Sequence, residues 1–270
     1  MERHMGDLML RAAAGLTIAV LCITSAMGGE RYEAPTVIGA GRIEPPADLL
    51  ADIAVLRTAA AARDIDAVAP FVGETVTILN GAIDMHIKRR ADALGPFKDT
   101  RAALIELGQN TGGDWDAPEG ADIGDVLVEQ ALQFWGWMLE DGIQWGLDPM
   151  APGAVCTYEA QVFDPDAVAR IGEQLGVASS SFVMVDTRTM VLKLPGLRAY
   201  IGALEPGKLY ALDYDTEVPD DGIAVHLPAG GEGLLTFPET GMLKPYMTGL
   251  CFAKGAAGHW QVVAQTNTTL

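Results

Sequence analysis

The chain has 270 residues, of which 49% are apolar, and its 36 Asp and Glu against 18 Lys and Arg give a formal net charge of −18. The apolar fraction is too high for an intrinsically disordered chain and suits one large domain or two modest ones. The strong acidity argues against nucleic acid and anionic membrane surfaces as partners, because both are bound by basic patches. The sequence also lacks a dinucleotide-binding glycine turn, a P-loop, a zinc-protease helix motif and a nucleophile elbow.

Residues 1–26 have the layout of a secretory signal peptide. Arg11 precedes an apolar or small run over residues 12–23, and the small residues Thr24, Ser25 and Ala26 follow it. About twelve apolar residues are too few for a helix that spans a bilayer, which needs about twenty. We therefore expect cleavage after Ala26 and an exported protein, periplasmic or extracellular, that is not an integral membrane protein. A buried N-terminal helix is the alternative.

Export determines how the cysteines are interpreted. Cys22 lies inside the predicted signal peptide, so Cys156 and Cys251 are left, an even number in a compartment where disulfides form. A bridge between them would close a loop of about 95 residues, which the chain-entropy model associates with up to about 4–5 kcal/mol of stability. Two separate buried thiols are the alternative.

The next part of the chain predicts mainly helices. Residues 27–46 are rich in Gly, Pro and Glu and predict a linker or an extended arm. Residues 47–178 predict a helix-rich domain, because apolar residues recur there at helical spacing. The predicted helices cover residues 47–63, 66–71, 100–107, 122–138 and 164–175. Short strands are predicted over 75–79 and 83–87, and a helix is the alternative for the second of these.

After Ser179 the apolar period changes to two, which predicts a β domain over residues 179–270 that ends in a closing hairpin. The predicted strands cover residues 182–185, 190–194, 199–204, 208–214, 222–227, 233–237, 250–253 and 259–265. Gly, Pro and Asp turns separate them, and regular spacing of this kind indicates a small antiparallel barrel or sandwich. The predicted fold class is therefore α+β, with a helix-rich N-terminal domain followed by a small antiparallel β domain.

Two Pro/Gly turns carry a resemblance to a known family. Leu204-Glu205-Pro206-Gly207 leads into one strand, and Pro228-Ala229-Gly230-Gly231-Glu232-Gly233 joins two others. On these residues the stretch 192–235 resembles a bacterial SH3-like domain. With Phe134-Trp135-Gly136-Trp137 and His259-Trp260-Gln261-Val262-Val263, the chain is similar to uncharacterised exported bacterial proteins that have a helical N-terminal part and a C-terminal SH3-like part. The resemblance implies an SH3-like β-barrel and a role in the cell envelope.

Aromatic and histidine side chains are the candidate ligand-binding residues, because aromatic faces line recognition grooves. The tryptophans of the 122–138 segment also fit the core of the N-terminal half, and each histidine fits a structural or solvent-facing role. The candidates are Trp135, Trp137, Tyr214, His226 and Trp260.

The most unusual local feature is a segregation of charge. Between Arg101 and Arg170 lie 68 residues with 13 acids and no Lys or Arg. Acidic oxygens in the Gly-rich stretch that begins at Thr111 could hold Ca²⁺, although a solvated loop that runs into a helix is the simpler interpretation. The candidate metal ligands are Asp114, Asp116, Glu119, Asp122 and Asp125, and no other cofactor is expected.

Three interpretations of function follow. The first is an exported non-enzymatic module that binds a peptide, a cell-wall glycan or a partner protein of the cell envelope. The second is a carboxylate-based or cation-dependent hydrolase, whose acids would need an apolar pocket. The third places residues 49–79 and the Trp260 strand in one cone-shaped pocket fold that resembles nuclear transport factor, although about 180 residues intervene. We expect the first, and we expect no catalytic residue.

Overall fold

A computed structural model describes residues 30–80, 90–111, 119–140, 143–178, 181–185, 187–194, 199–236, 242–243 and 248–267. The predicted signal peptide, the predicted strand over 83–87, and Asp114 and Asp116 lie outside these residues. The described fold is mixed α/β, with several helices and sheets in which most neighbouring strands are antiparallel.

Aspartate caps fix the starts of most helices. Asp64, Asp99, Asp122 and Asp164 each accept a hydrogen bond from a backbone N–H of the first helical turn, which otherwise has no partner in the helix. The predicted helices are confirmed to within one or two residues at most ends. They are α1 (Ala47–Ala61), α2 (Ile65–Val68) with a 3₁₀ turn (Ala69–Phe71), α3 (Thr100–Gly108), α4 (Ile123–Met138) and α5 (Pro165–Leu175).

The described strands are short. They are β1 (Ile38–Gly39), β2 (Val72–Asn80), β3 (Arg90–Leu94), β4 (Val155–Cys156), β5 (Gln161–Val162), β6 (Phe182–Val185), β7 (Thr189–Lys193), β8 (Tyr200–Leu204), β9 (Tyr210–Asp213), β10 (Gly222–His226), β11 (Glu232–Thr236), β12 (Met242–Leu243), β13 (Gly249–Lys254) and β14 (Trp260–Asn267).

A five-stranded sheet joins both ends of the chain. Its order is β3-β2-β14-β13-β4, and β2 runs parallel to β14 while the other neighbours are antiparallel. Helices α1, α3 and α4 pack on one face of this sheet, where the fully buried Leu56, Leu107 and Trp135 meet Phe252 and Val262. Residues 49–79 and the Trp260 strand therefore belong to one layered unit, as the pocket-fold interpretation supposed, although the cone-shaped pocket fold as a whole stays a prediction.

A seven-stranded sheet is built from chain inserted between β4 and β13. Its order is β12-β6-β9-β10-β11-β7-β8, with antiparallel neighbours throughout. Helix α5 packs on it through Val168 and Ile171. Within the described residues no pairing joins β12 to β8, so the sheet is open and the predicted SH3-like barrel is not confirmed.

These sheets differ from the predicted division at residue 179. The closing hairpin forms as β13 and β14, but it belongs to the sheet of the N-terminal half. Helix α5, predicted for the helix-rich domain, packs with the second sheet instead. Strand period identifies a strand but carries no information about its partner, so it did not predict which sheet each strand joins.

The N-terminal arm is an extended segment that runs from the second sheet to the first. Near the second sheet, Val37 N–H donates to Gly207 O at 2.9 Å and the Tyr32 hydroxyl donates to His226 O at 2.8 Å. Strand β1 then pairs with β5, and Ile43 N–H donates to Trp145 O at 3.1 Å beside the first sheet. The arm is therefore an ordered strap between the two sheets.

No helix in the described part of the chain combines the length and the apolar character that crossing a membrane requires.

Candidate functional site

A groove of about 680 Å³ lies between helices α1 and α4. Its floor is apolar, since Ala60 and Leu132 are buried, and Trp137 at its edge is 63% exposed. Gly136 also lines it, and a Cβ at that position would meet no atom within 4 Å, so the groove is open there. The lining residues are Arg57, Ala60, Ala61, Arg63, Glu129, Leu132, Gln133, Gly136, Trp137 and Glu140. The volume lies in the range of small-molecule sites.

Three of the charged groups of the groove form an ion pair or a hydrogen bond. Arg63 forms an ion pair with Glu129, which also accepts a hydrogen bond from Gln133 Nε2 at 3.1 Å. Arg57 Nη1 donates to Leu139 O at the end of α4, with 3.4 Å between the two atoms. The rim therefore offers donors and acceptors that hold one another in place, beside an exposed indole.

Arg63 adopts the left-handed backbone conformation, with φ 56°. It follows the end of α1, where its N–H donates to Ala60 O and the next N–H, of Asp64, donates to Ala59 O, both at 3.0 Å. A glycine commonly occupies this position after a helix, because a Cβ there is strained. Residues with a strained backbone are found more often at functional sites, and Arg63 lines the groove.

The structure separates the two tryptophans that the sequence proposed together. Trp135 is fully buried, and its Nε1–H donates to Gln265 Oε1 at 3.2 Å, so it belongs to the core. Trp137 lies on the other side of α4 and faces the groove. Residues two apart on a helix point in nearly opposite directions, so helix geometry by itself distinguishes the two.

The other proposed ligand-binding residues lie elsewhere. Tyr214 follows β9 of the second sheet and is 62% exposed, and His226 ends β10 of that sheet. Trp260 begins β14 of the first sheet, where its N–H donates to Asp52 Oδ2 at 2.8 Å and its ring packs against the helical core. The structure does not bring these residues together with Trp137 in one site.

The predicted Ca²⁺ ligands that the structure describes are Glu119, Asp122 and Asp125, all exposed. Asp122 caps α4, and Asp125 Oδ1 accepts a hydrogen bond from Arg101 Nη2 at 2.6 Å. This contact raises the pKa of Arg101, so a guanidinium cation lies beside the two acids. Helix capping and an ion pair thus account for Asp122 and Asp125.

A cluster of three potential metal ligands lies on the second sheet, at the ends of β9 and β10 and the start of β11. Ligand atoms of Asp213, His226 and Glu232 all lie within 4.8 Å of one another. Sequence reasoning named His226 as a ligand-binding candidate but proposed neither Asp213 nor Glu232 as a ligand. The turn at Pro228–Gly231 was the available signal, because a hairpin that closes there pairs His226 with Glu232.

Cys156 and Cys251 form a disulfide, as the sequence predicted. They occupy opposed positions of β4 and β13, so the bridge crosses between neighbouring strands. The buried Tyr158 hydroxyl lies 3.4 Å from Cys251 Sγ and donates to the buried Asp148 Oδ2 at 2.6 Å. The bridge therefore ties the inserted segment at its two ends, since β4 precedes the insertion and β13 follows it.

Comparison of the chain with protein-family models, with curated proteins and with solved structures found no match.

Proposed function

We propose that the protein is an exported, non-enzymatic binding module of the bacterial cell envelope whose ligand lies in the groove between α1 and α4. The observation that carries the proposal is the exposed indole of Trp137 beside an apolar floor and a polar rim. An indole combines a large apolar face with a polar N–H, and such side chains are enriched at recognition surfaces.

The lining indicates the chemistry of the ligand. The charged groups of the rim include an internal ion pair between Arg63 and Glu129, so the groove favours a ligand without strong net charge. The indole favours an apolar face on the ligand, and the amide of Gln133 favours hydroxyl or amide groups. Cell-wall glycans and their peptides both have these properties, and the net charge of −18 disfavours polyanions.

Export is supported by the disulfide between Cys156 and Cys251, because disulfides form and persist in oxidising compartments. The predicted signal peptide over residues 1–26 is consistent with this location. A binding role outside the cytoplasm is the simplest function that combines both features with the groove.

A cation-dependent hydrolase is the second candidate, favoured by the cluster of Asp213, His226 and Glu232. A metal ion at such a cluster could activate water. The cluster lies on the second sheet and shares no residue with the groove.

Co-sedimentation with purified peptidoglycan, at low and at moderate salt, tests the proposal. Trp137→Ala should abolish enrichment, because it removes the aromatic wall. Gly136→Leu should also abolish it, because the added side chain would fill open space in the groove. Tyr200→Ala is the matched control, since Tyr200 is 66% exposed and lies on β8, far along the chain from the groove.

The expected pattern is retention of the wild type and of Tyr200→Ala, and loss of both groove variants. Soluble glycan strands and free stem peptides, used as separate competitors, identify which component occupies the groove. Equal retention of all four proteins would contradict a groove ligand, and no retention of any would contradict a cell-wall ligand.

A further inference from the structure

The cluster on the second sheet has an arrangement that a hydrogen bond does not explain. His226 Nδ1 lies 3.6 Å from Glu232 Oε1, which is too long for a direct hydrogen bond. Two ligands bound to one tetrahedral metal at about 2.1 Å lie about 3.4 Å apart. The observed separation of 3.6 Å therefore matches the distance between two ligand atoms that bind the same metal ion.

The carboxylate of Asp213 is held in a fixed orientation beside this pair. Its Oδ1 accepts from the N–H of Asp215 at 2.8 Å and of Thr216 at 3.2 Å, and its Oδ2 accepts from the Thr216 hydroxyl at 2.7 Å. These hydrogen bonds orient the carboxylate, and Oδ2, which accepts one of them, keeps a lone pair for a metal ion.

Burial and a backbone hydrogen bond also restrain His226. Its side chain is only 14% exposed, and its backbone carbonyl accepts the Tyr32 hydroxyl of the N-terminal arm at 2.8 Å. Its Nε2 is buried without a hydrogen-bond partner among the described residues. Its Nδ1 lies 3.6 Å from Glu232 Oε1, so one nitrogen of this largely buried ring is directed toward the cluster.

Charge favours a cation between these residues. Two carboxylates within 4.8 Å of one another repel unless a positive charge lies between them, and the whole chain carries a net charge of −18. The Thr216 hydroxyl reaches both, with 3.3 Å to Glu232 Oε2, but a single hydroxyl proton is shared poorly between two anions.

We propose that Asp213, His226 and Glu232 bind one divalent transition-metal ion, with Zn²⁺ preferred. One imidazole nitrogen and two carboxylate oxygens are ligands that Zn²⁺ accepts, and the nitrogen disfavours Ca²⁺ and Mg²⁺, which take oxygen ligands. Three protein ligands leave a fourth position for water or a ligand group, as in open zinc sites. The Glu232 side chain is 38% exposed, so solvent reaches the cluster. This site is independent of the groove and of its proposed ligand.

Zn²⁺ titration of the chelator-treated full chain, prepared without an affinity tag, tests the site. Calorimetry should show about one Zn²⁺ ion bound per chain. The melting temperature should rise by about 5–10 °C at a hundredfold excess over the dissociation constant. His226→Gln and Glu232→Gln should each weaken binding by at least about tenfold, and Thr216→Ala by about tenfold through loss of the hydrogen bond that orients Asp213.

His259→Gln is the matched control. His259 Nδ1 also lies near a carboxylate, 3.4 Å from Asp52 Oδ1, but within the described residues no third ligand joins this pair. The control should bind Zn²⁺ as the wild type does. Binding that survives His226→Gln, or that His259→Gln removes equally, would overturn the proposal.

A second outcome separates a metal site from an ion pair. If the wild type binds no Zn²⁺ while Glu232→Gln is destabilised in metal-free buffer, the imidazole and the carboxylates form an ion pair only, and the proposal is wrong. Glu232→Gln is suited to this comparison because its side chain is partly exposed and the variant changes few packing contacts.

Discussion

Replacement of Gln265 by leucine should expose how the helical layer is tied to the first sheet. Gln265 is fully buried in β14, and its side chain makes three hydrogen bonds. Its Oε1 accepts from Trp135 Nε1 at 3.2 Å, and its Nε2 donates to Leu107 O at 3.2 Å and to Asn110 O at 3.0 Å. One side chain thus links α4 and the end of α3 to the strand.

The cost follows from the groups that the change leaves without partners. The buried Trp135 indole N–H loses its acceptor, which costs about 1–3 kcal/mol. Leu107 O keeps a donor, the Asn110 N–H at 3.0 Å, so its loss is smaller. Leucine recovers part of the cost through apolar burial. We expect the free energy of unfolding to fall by about 2–3 kcal/mol.

Urea denaturation followed by circular dichroism measures this change. Gln261→Leu is the control on the same strand, because Gln261 Nε2 donates to Pro70 O at an exposed position, and its cost should stay below about 0.5 kcal/mol. Trp135→Phe should cost less in the Gln265→Leu background than in the wild type, because the indole N–H is already without an acceptor there. Equal stability of Gln265→Leu and Gln261→Leu, or purely additive effects, would refute this reasoning.

Three further outcomes are expected. Arg63→Gly should raise the free energy of unfolding by up to about 1 kcal/mol, because relief of the strained left-handed conformation outweighs the loss of an exposed ion pair. The same change should weaken peptidoglycan binding. A marked loss of stability with unchanged binding would contradict the role assigned to Arg63. Gly136→Ala should stabilise α4 by about 0.5–1 kcal/mol in thermal melts, because its Cβ meets open space, and destabilisation would show that the groove is filled. Thiol labelling of the denatured chain should find Cys156 and Cys251 unreactive until a reductant is added, and reduction should lower stability by about 2–5 kcal/mol; reactive thiols without reductant would exclude the bridge.

The sequence specified local structure well. Helix α1 was predicted over residues 47–63 and covers Ala47–Ala61, because an apolar stripe at helical spacing marks a helix wherever its partners lie. Helices α4 and α5 were predicted to begin at Asp122 and Asp164, and in the structure these aspartates cap the two helices. The even cysteine count left after the predicted signal peptide indicated the disulfide, with two separate thiols as the alternative.

These local sequence patterns did not predict which strands pair when they lie far apart in the chain. β2 and β14 are parallel neighbours although about 180 residues separate them, and alternation of side chains is the same for any partner. The roughly 180 intervening residues argued against the pocket-fold interpretation. Many of them form the inserted seven-stranded sheet, and β13 and β14 still pair in the first sheet.

The candidate sites were predictable only in part. Trp137 was named, but Arg63 and Glu129, which line the same groove, follow α1 and lie on α4, and no local pattern encodes the contact between these elements. His226 was named, and Glu232 follows from the hairpin register, whereas Asp213 needed the pairing of β9 with β10. Each site is assembled by contacts between elements, so sequence patterns identify its members singly.

The most direct test of the groove ligand is the response of the tryptophan indole N–H signals in a ¹⁵N-labelled chain to soluble peptidoglycan fragments. The chain has five tryptophans, and Trp137→Phe and Trp135→Phe assign the two signals of α4. The account predicts a saturable shift of the exposed Trp137 signal and none of the buried Trp135 signal. Saturable binding that leaves the Trp137 signal unchanged would contradict it.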